Sequence, residues 1–253
     1  MTAQMPPSTP AGTDRPPAPS LPALPWVRMK IAASLDGQTA LPNGDSRWIT
    51  SPQARADGHA WRGRADAVLT GIGTVLADDP RLDVRLSPVS RQPDLVVLDS
   101  RLRTPADAQL FGLERRLHIY SAGADQPGHA AARATLVAHG ARVVAMPDAH
   151  GRIDLRAMLQ DLPLQGIKVL HVEAGAQLNG ALLDAGLVDE LLIYMAPCML
   201  GLGRPMAAFG PLVALSQAQR LSFDSVDRIG PDLRLVARIR PRQTEADSTT
   251  ARA

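Results

Sequence analysis

Apolar residues fall along the chain in short runs of strand length, and the polar stretches between them carry helical spacing. The runs "WVRMKIAAS" (Trp26–Ser34), "AVLTGIG" (Ala67–Gly73), "DLVVLDS" (Asp94–Ser100), "RLHIYSA" (Arg116–Ala122), "ARVVAMP" (Ala141–Pro147), "KVLHVE" (Lys168–Glu173) and "ELLIYMAP" (Glu190–Pro197) each predict a strand. "SFDSVDRI" and "LRLVARI", with "GPD" (Gly230–Asp232) between them, predict a closing hairpin. Helices are expected in the gaps. Ser51 is a suitable N-cap with Pro52 in the first turn. The stretch His129–Gly140 ends on a glycine suited to a left-handed cap. Leu178, Ala181, Leu182 and Ala185 follow the i, i+3, i+4, i+7 spacing of one apolar helix face, which Gly186 stops. Alternating strands and helices imply an α/β fold in three layers: a mostly parallel mixed sheet, helices on both faces, and a C-terminal antiparallel hairpin.

Composition sharpens this picture. The 253 residues are 45% hydrophobic but only 3% aromatic, so the core must be aliphatic. One domain is expected over residues 25–240, preceded by a disordered Pro-rich leader (1–24) and followed by a disordered tail (241–253). A formal net charge of +2 argues against a general nucleic-acid binder. Cys198 is the single cysteine, so neither an intrachain disulfide nor a thiol zinc cluster is available, and no metal is expected. No apolar run reaches bilayer length and no secretion signal is legible, so a cytoplasmic protein with no membrane partner is expected.

Three stretches carry candidate chemistry. Glu173 ends a buried strand and is followed by Ala174, Gly175 and Ala176 before a helix. Ligands of open α/β sheets bind beyond the carboxyl ends of strands, and a helix N-terminus suits a phosphate. The plainer reading is that Glu173 caps the helix and the small residues permit tight packing; both readings stand at this point. Lys30 lies in an otherwise apolar run and is one of only two lysines, with Lys168. It either snorkels outward or serves a site. In "TGIGTVLADDPRLDVR" (Thr70–Arg85), Gly71 and Gly73 follow a strand, Thr74 is a candidate cap, and Asp78 and Asp79 stand side by side before Pro80, with Arg81 and Arg85 close in sequence. Turn chemistry explains Asp before Pro. The third glycine of a dinucleotide fingerprint is missing.

The ordered set "MKIAASLDGQTA", "GDSRWITSPQAR", "WRGRADAVLTGIGTVLADDPRLDVR", "VVLDSRLRTP", "VEAGAQLNGALLDAGLVDEL" and "GPDLRLVARI" closely resembles the reductase domain of the bacterial bifunctional riboflavin-biosynthesis deaminase/reductase. The resemblance implies a dihydrofolate-reductase-like fold, a homodimer, NADPH as cofactor, and reduction of the ribosyl group of 5-amino-6-(5-phosphoribosylamino)uracil to ribityl. It assigns cofactor contacts to Ala32, Trp48, Thr74, Asp78, Ser100 and the segment Gly175, Ala176, Gln177, Leu178, Asn179, Gly180 and Ala181. Substrate contacts fall to Ser46, Arg62, Leu82, Arg85 and Glu173. Lys30, Glu173 and Asp78 become the catalytic candidates, with Asp78 expected to orient the cofactor rather than act as the acid. Arg62 and Arg85 are expected to grip the ribose phosphate. Trp48 covers the nicotinamide or simply fills core. Arg101 and Arg103, from their charge, are expected near the adenosine 2′-phosphate. The family's bifunctional proteins carry an N-terminal zinc deaminase with His-x-Glu and Pro-Cys-x-x-Cys motifs; the first twenty-odd residues here hold neither, and Cys198 stands alone. Deamination is therefore expected elsewhere, or the chain is a fragment or a specialised paralogue. A same-fold reductase for another pterin-like or pyrimidine compound, or a non-catalytic NADPH-binding module, are the alternative functions.

Overall fold

A computed structural model describes residues 23–123 and 126–240; nearly all of the expected leader, and the tail, lie outside the described residues. The strands are β1 (Trp26–Ser34), β2 (Gln38–Ala40), β3 (Ala67–Gly71), β4 (Asp94–Leu98), β5 (Leu117–Ser121), β6 (Ala141–Ala145), β7 (Val169–Val172), β8 (Glu190–Ala196), β9 (Arg204–Pro205), β10 (Leu221–Ile229) and β11 (Asp232–Ile239). The α-helices are α1 (Pro52–Arg62), α2 (Ile72–Asp78), α3 (Ala130–Ala138), α4 (Leu155–Asp161) and α5 (Ala176–Asp184). Nine strands form one sheet in the order β10-β11-β8-β1-β7-β3-β4-β5-β6, parallel from β8 to β6 and antiparallel at the β10–β11 hairpin. Among the described residues no helix is long and apolar enough to cross a membrane.

All nine expected strands of this sheet form: β1 over the expected residues, β3 to β8 trimmed at one or both ends, and β10 and β11 one residue longer. The run Ala67–Gly73 is cut at Gly71 because α2 begins at once, with Gly71 as its N-cap. Thr74 is thus the third residue of that helix and not its cap. Ser51 caps α1 as expected, accepting the Ala54 N–H, and Gly140 and Gly186 adopt positive φ after their helices. Helix α4 and the small β2–β9 sheet were not legible from spacing.

Strand alternation divides the core between the two faces. Val27, Met29, Ile31 and Ala33 of β1, with Leu69, Val96 and Leu170, pack against Met158 and Leu159 of α4 and Leu182 of α5. On the opposite face Val68, Leu95, Val97 and Ile119 pack against Val75 of α2 and Leu136 of α3. Alongside them, Ala54 of α1 covers Leu192, Tyr194 and Val236. Each fully buried aliphatic side chain contributes roughly 1.5–3 kcal/mol. The same alternation puts Arg28 and Lys30 on the α1 face, where the Arg28 guanidinium stacks 4.4 Å from the Trp61 ring centre.

Helix α5 differs from its expected apolar stripe. Asn179, Gly180 and Leu182 are buried, whereas Ala181 and Ala185 are exposed. The cause is the segment around Ala208, which crosses the helix so closely that a Cβ on Gly180 would collide with the Ala208 carbonyl. Asn179 Nδ2 donates to the Met206 carbonyl there at 2.8 Å.

Candidate active site

Glu173 sits at the carboxyl end of β7, between β1 and β3 in the middle of the sheet. Its N–H donates to the Leu69 carbonyl at 2.9 Å, and its carbonyl accepts from Thr70 Oγ1 at 2.8 Å, so the backbone continues the sheet. The side chain points to the same face as His171, two residues earlier, and towards α1. Arg62, in the last turn of α1, donates from Nε to Glu173 Oε1 at 2.5 Å and from Nη2 to Oε2 at 3.0 Å. Lys30 Nζ stands 3.7 Å from Oε2, and His171 Nε2 3.5 Å from Oε1. Glu173 does not cap α5: the N-cap is Gly175, with no side-chain bond. Lys30 does not snorkel into solvent.

This cluster has a definite electrostatic state. Burial alone would raise the Glu173 carboxyl; the charges of Arg62 and Lys30 outweigh it and hold the group well below the usual carboxylate range. Burial likewise lowers the imidazoles of His171 and His59 to about 4, leaving both neutral. His59 Nδ1 accepts the Arg85 N–H at 3.3 Å, a role open only to the neutral ring. Between the ordinary histidine value and about 4, the unfolded chain therefore binds protons that the folded chain does not. Stability is expected to be full above about pH 6.5 and to fall as pH drops towards 4, by up to about 3 kcal/mol per histidine. Thermal unfolding across that range checks this; a flat midpoint between pH 7 and 4.5 would show that these rings are not buried neutral.

Beside Glu173 opens a cleft of about 440 Å³ lined in part by Ser46, Trp48, Arg62, Asp78, Leu82 and Arg85. All six are residues singled out from the sequence, and they come from three separate segments. Trp48 is 67% exposed, with the Arg55 guanidinium 4.3 Å from its ring centre, so it fills no core. The adjacent carboxylates diverge. Asp79, in the left-handed region at φ 41°, accepts the Gln109 N–H at 2.9 Å. Asp78 remains open to the cleft, 3.9 Å from Arg47.

The arginines depart from expectation. Arg81 and Arg85 do not pair with Asp78 or Asp79; they hold the buried Asp83 carboxylate at 3.2 and 2.5 Å. Arg62 is buried, and its guanidinium is committed to Glu173 and to the Asp83 carbonyl, not free to grip a phosphate. Arg81 and Arg85 keep half-exposed side chains along the cleft instead.

Other expected residues lie apart from this cleft. Lys30 reaches it only through Glu173. Ala32 is half-buried in β1, Thr74 lies within α2, and Ser100, Arg101 and Arg103 are exposed on the loop after β4. Of the segment Gly175–Ala181, Gly175 and Gln177 face solvent and Ala176 and Leu178 are half-buried. Asn179 and Gly180 are turned into the packing beneath Met206 and Ala208 and present nothing to a ligand. Asp83, His59 and His171 went unnoticed in the sequence. For His171 a signal existed: it precedes Glu173 by two in a strand, hence shares its face.

Comparison with known proteins places this arrangement. The riboflavin biosynthesis protein RibD of Escherichia coli (strain K12) is 38% identical over 215 residues, covering 83% of this chain and 58% of that protein. That of Bacillus amyloliquefaciens is 36% identical over 85% of this chain and 57% of its own length. The chain thus spans less than two thirds of these relatives. The solved structure of Acinetobacter baumannii RibD, form 2, superposes with a TM-score of 0.75 at 34% identity, covering 86% of this chain and 58% of that one. The three-layer sheet is accordingly of the dihydrofolate-reductase-like type expected. The family described as the RibD C-terminal domain matches residues 25–235. A match over residues 25–235, with relatives 36–38% identical across more than four fifths of its length, shows that the chain belongs to the RibD C-terminal domain family.

Proposed function

We propose that this protein is an NADPH-dependent reductase that converts the ribosyl group of 5-amino-6-(5-phosphoribosylamino)uracil to ribityl in riboflavin biosynthesis. The observation that carries the reading is the convergence of Ser46, Trp48, Arg62, Asp78, Leu82 and Arg85 on one cleft, joined through Arg62 to the Glu173 carboxylate.

The residues present fit a dinucleotide. The first N–H groups of α5 have no side-chain cap, and a Cβ added at Gly175 would meet nothing within 4 Å, so an anion has room to approach that backbone. Trp48 offers an exposed apolar face, and Asp78, loosely paired with Arg47 at 3.9 Å, keeps acceptor capacity for an amide or a ribose hydroxyl. NADPH, when bound, supplies the hydride that reduces sugar C1′. The chain's own task is alignment and charge. Arg62 keeps Glu173 ionised and fixes its plane. The gap between Lys30 Nζ and Glu173 Oε2 leaves both groups hydrogen-bonding capacity for sugar hydroxyls, and leaves Lys30, the donor of the two, for the proton that completes reduction. The half-exposed guanidiniums of Arg81 and Arg85 are the natural receivers of the phosphate. The test is loss of NADPH absorbance on mixing protein, cofactor and the deaminated aminouracil ribosyl phosphate. Steady consumption is expected; binding of NADPH without turnover on this or any related pyrimidine would overturn the assignment.

A further inference from the structure

Between α2 and β4 an irregular segment, Asp79–Arg85, supplies much of the cleft wall. It joins no strand or helix, yet side chains stand in for a sheet partner. Gln109 Nε2 donates to the Asp79 carbonyl at 3.1 Å, and Arg62 Nη1 to that of Asp83. Gln92 closes on Val84 from both sides, accepting its N–H at 2.7 Å and donating to its carbonyl at 2.9 Å. The middle of the segment is held by Arg115, which donates from Nη1 to the Leu82 carbonyl at 2.8 Å and from Nη2 to the Arg81 carbonyl. That point is where bracing is most needed. Leu82 has φ 49°, in the left-handed region that favours glycine, and its side chain is buried.

Arg115 stands behind the wall and does not line the cleft. Among the described residues it forms no ion pair, and its Nε is buried without a partner. A half-buried cation hydrogen-bonded to carbonyls, with the Asp83 and Asp94 carboxylates acting on it only through their field, is a poor device for stability, since desolvation offsets what the bonds contribute. A planar fork spanning two successive carbonyls is a good device for geometry, and one a lysine cannot reproduce.

We propose that Arg115 is a positioning residue of the cleft: by bridging the Arg81 and Leu82 carbonyls it fixes the strained turn and so aims Arg81, Leu82 and Arg85 at the phosphorylated end of the ligand. The identity of that ligand rests on the reductase reading above; the bracing does not.

The experiment compares the full chain with Arg115→Met and Arg115→Lys. Arg115→Met is expected to raise KM for the aminouracil ribosyl phosphate about tenfold, with kcat and the KM for NADPH within about twofold. Arg115→Lys, able to reach one carbonyl, is expected to fall between the two. Amide hydrogen exchange, which needs no substrate, is expected to quicken in Arg115→Met within the peptide covering residues 79–85. An unchanged substrate KM, an equal rise for substrate and NADPH, or unaltered exchange in that peptide overturns the proposal. If the wild type itself fails to turn over the compound, the reductase reading falls, and faster exchange confined to residues 79–85 still upholds the bracing. If Arg115→Met does not fold, Arg115→Lys decides: an intermediate KM with faster exchange supports the role, and wild-type values reject it.

Discussion

Glu173→Gln is expected to lower kcat more than tenfold while the protein stays folded. The amide keeps the size and one acceptor of the carboxylate but removes its charge, so Arg62 and Lys30 face each other's field without a counter-ion. Removing one partner of a buried pair costs on the order of 3 kcal/mol or more, so the thermal midpoint should also fall. The kinetic effect has a separate cause: the glutamine offers the sugar hydroxyls a neutral group where the wild type presents a fixed negative charge. Steady-state rates and thermal unfolding on the same preparation separate the two. Wild-type turnover in Glu173→Gln would remove this carboxylate from the mechanism, whatever happens to stability.

Arg62→Ala is expected to be the more destabilising change, by roughly 3–5 kcal/mol, because it strands Glu173 in a buried position and frees the Asp83 carbonyl as well. It should weaken substrate more than NADPH, since Arg62 anchors both Glu173 and the wall that carries Arg85. It should also alter how stability depends on pH in acid. In the wild type the Glu173 carboxyl is depressed below its unfolded value, so its contribution is present above ordinary carboxylate pH and is lost only in strong acid. Without Arg62, burial dominates and the carboxyl rises, so protonating Glu173 relieves the stranded charge and the stability deficit of the variant should shrink as pH falls. Thermal unfolding followed by circular dichroism at a series of acid pH values checks this. A deficit that stays constant with pH, or equal losses of substrate and cofactor affinity, would mean that Arg62 does not set the state of Glu173.

The architecture was legible because its signal is local. Each strand of the main sheet is a short aliphatic run between turn residues, and Gly140 and Gly186 mark helix ends by a backbone conformation few other residues accept. Lys30 and Glu173 stood out because a charge inside or at the end of such a run demands a partner. What spacing did not reveal was partnership across distance. Arg62 looks like a solvent-facing residue on a polar helix, and only the packing of α1 over β1 and β7 turns it inwards onto Glu173. Arg81 is as close in sequence to Asp79 as to Asp83, so spacing alone does not choose its partner. Asp79 and Leu82 both take left-handed φ, Asp79 turns to the Gln109 N–H, and Asp83 receives both arginines. Helix α5 was placed correctly, and Leu178 and Leu182 face the core as expected, but Gly180 accepts a crossing backbone where the apolar spacing pointed to Ala181.

The wall formed by residues 79–85 bears on affinity in a way its contacts alone do not express. A loop that orders only when its ligand arrives loses conformational freedom at that moment, and binding is weaker by that amount. Here the carbonyls from Arg81 to Val84 are already engaged by side chains from other parts of the chain, so that entropy is surrendered during folding. A phosphorylated molecule entering the cleft meets charges already in place, and its residence there is governed by the fit of those charges, not by the time a loop takes to settle.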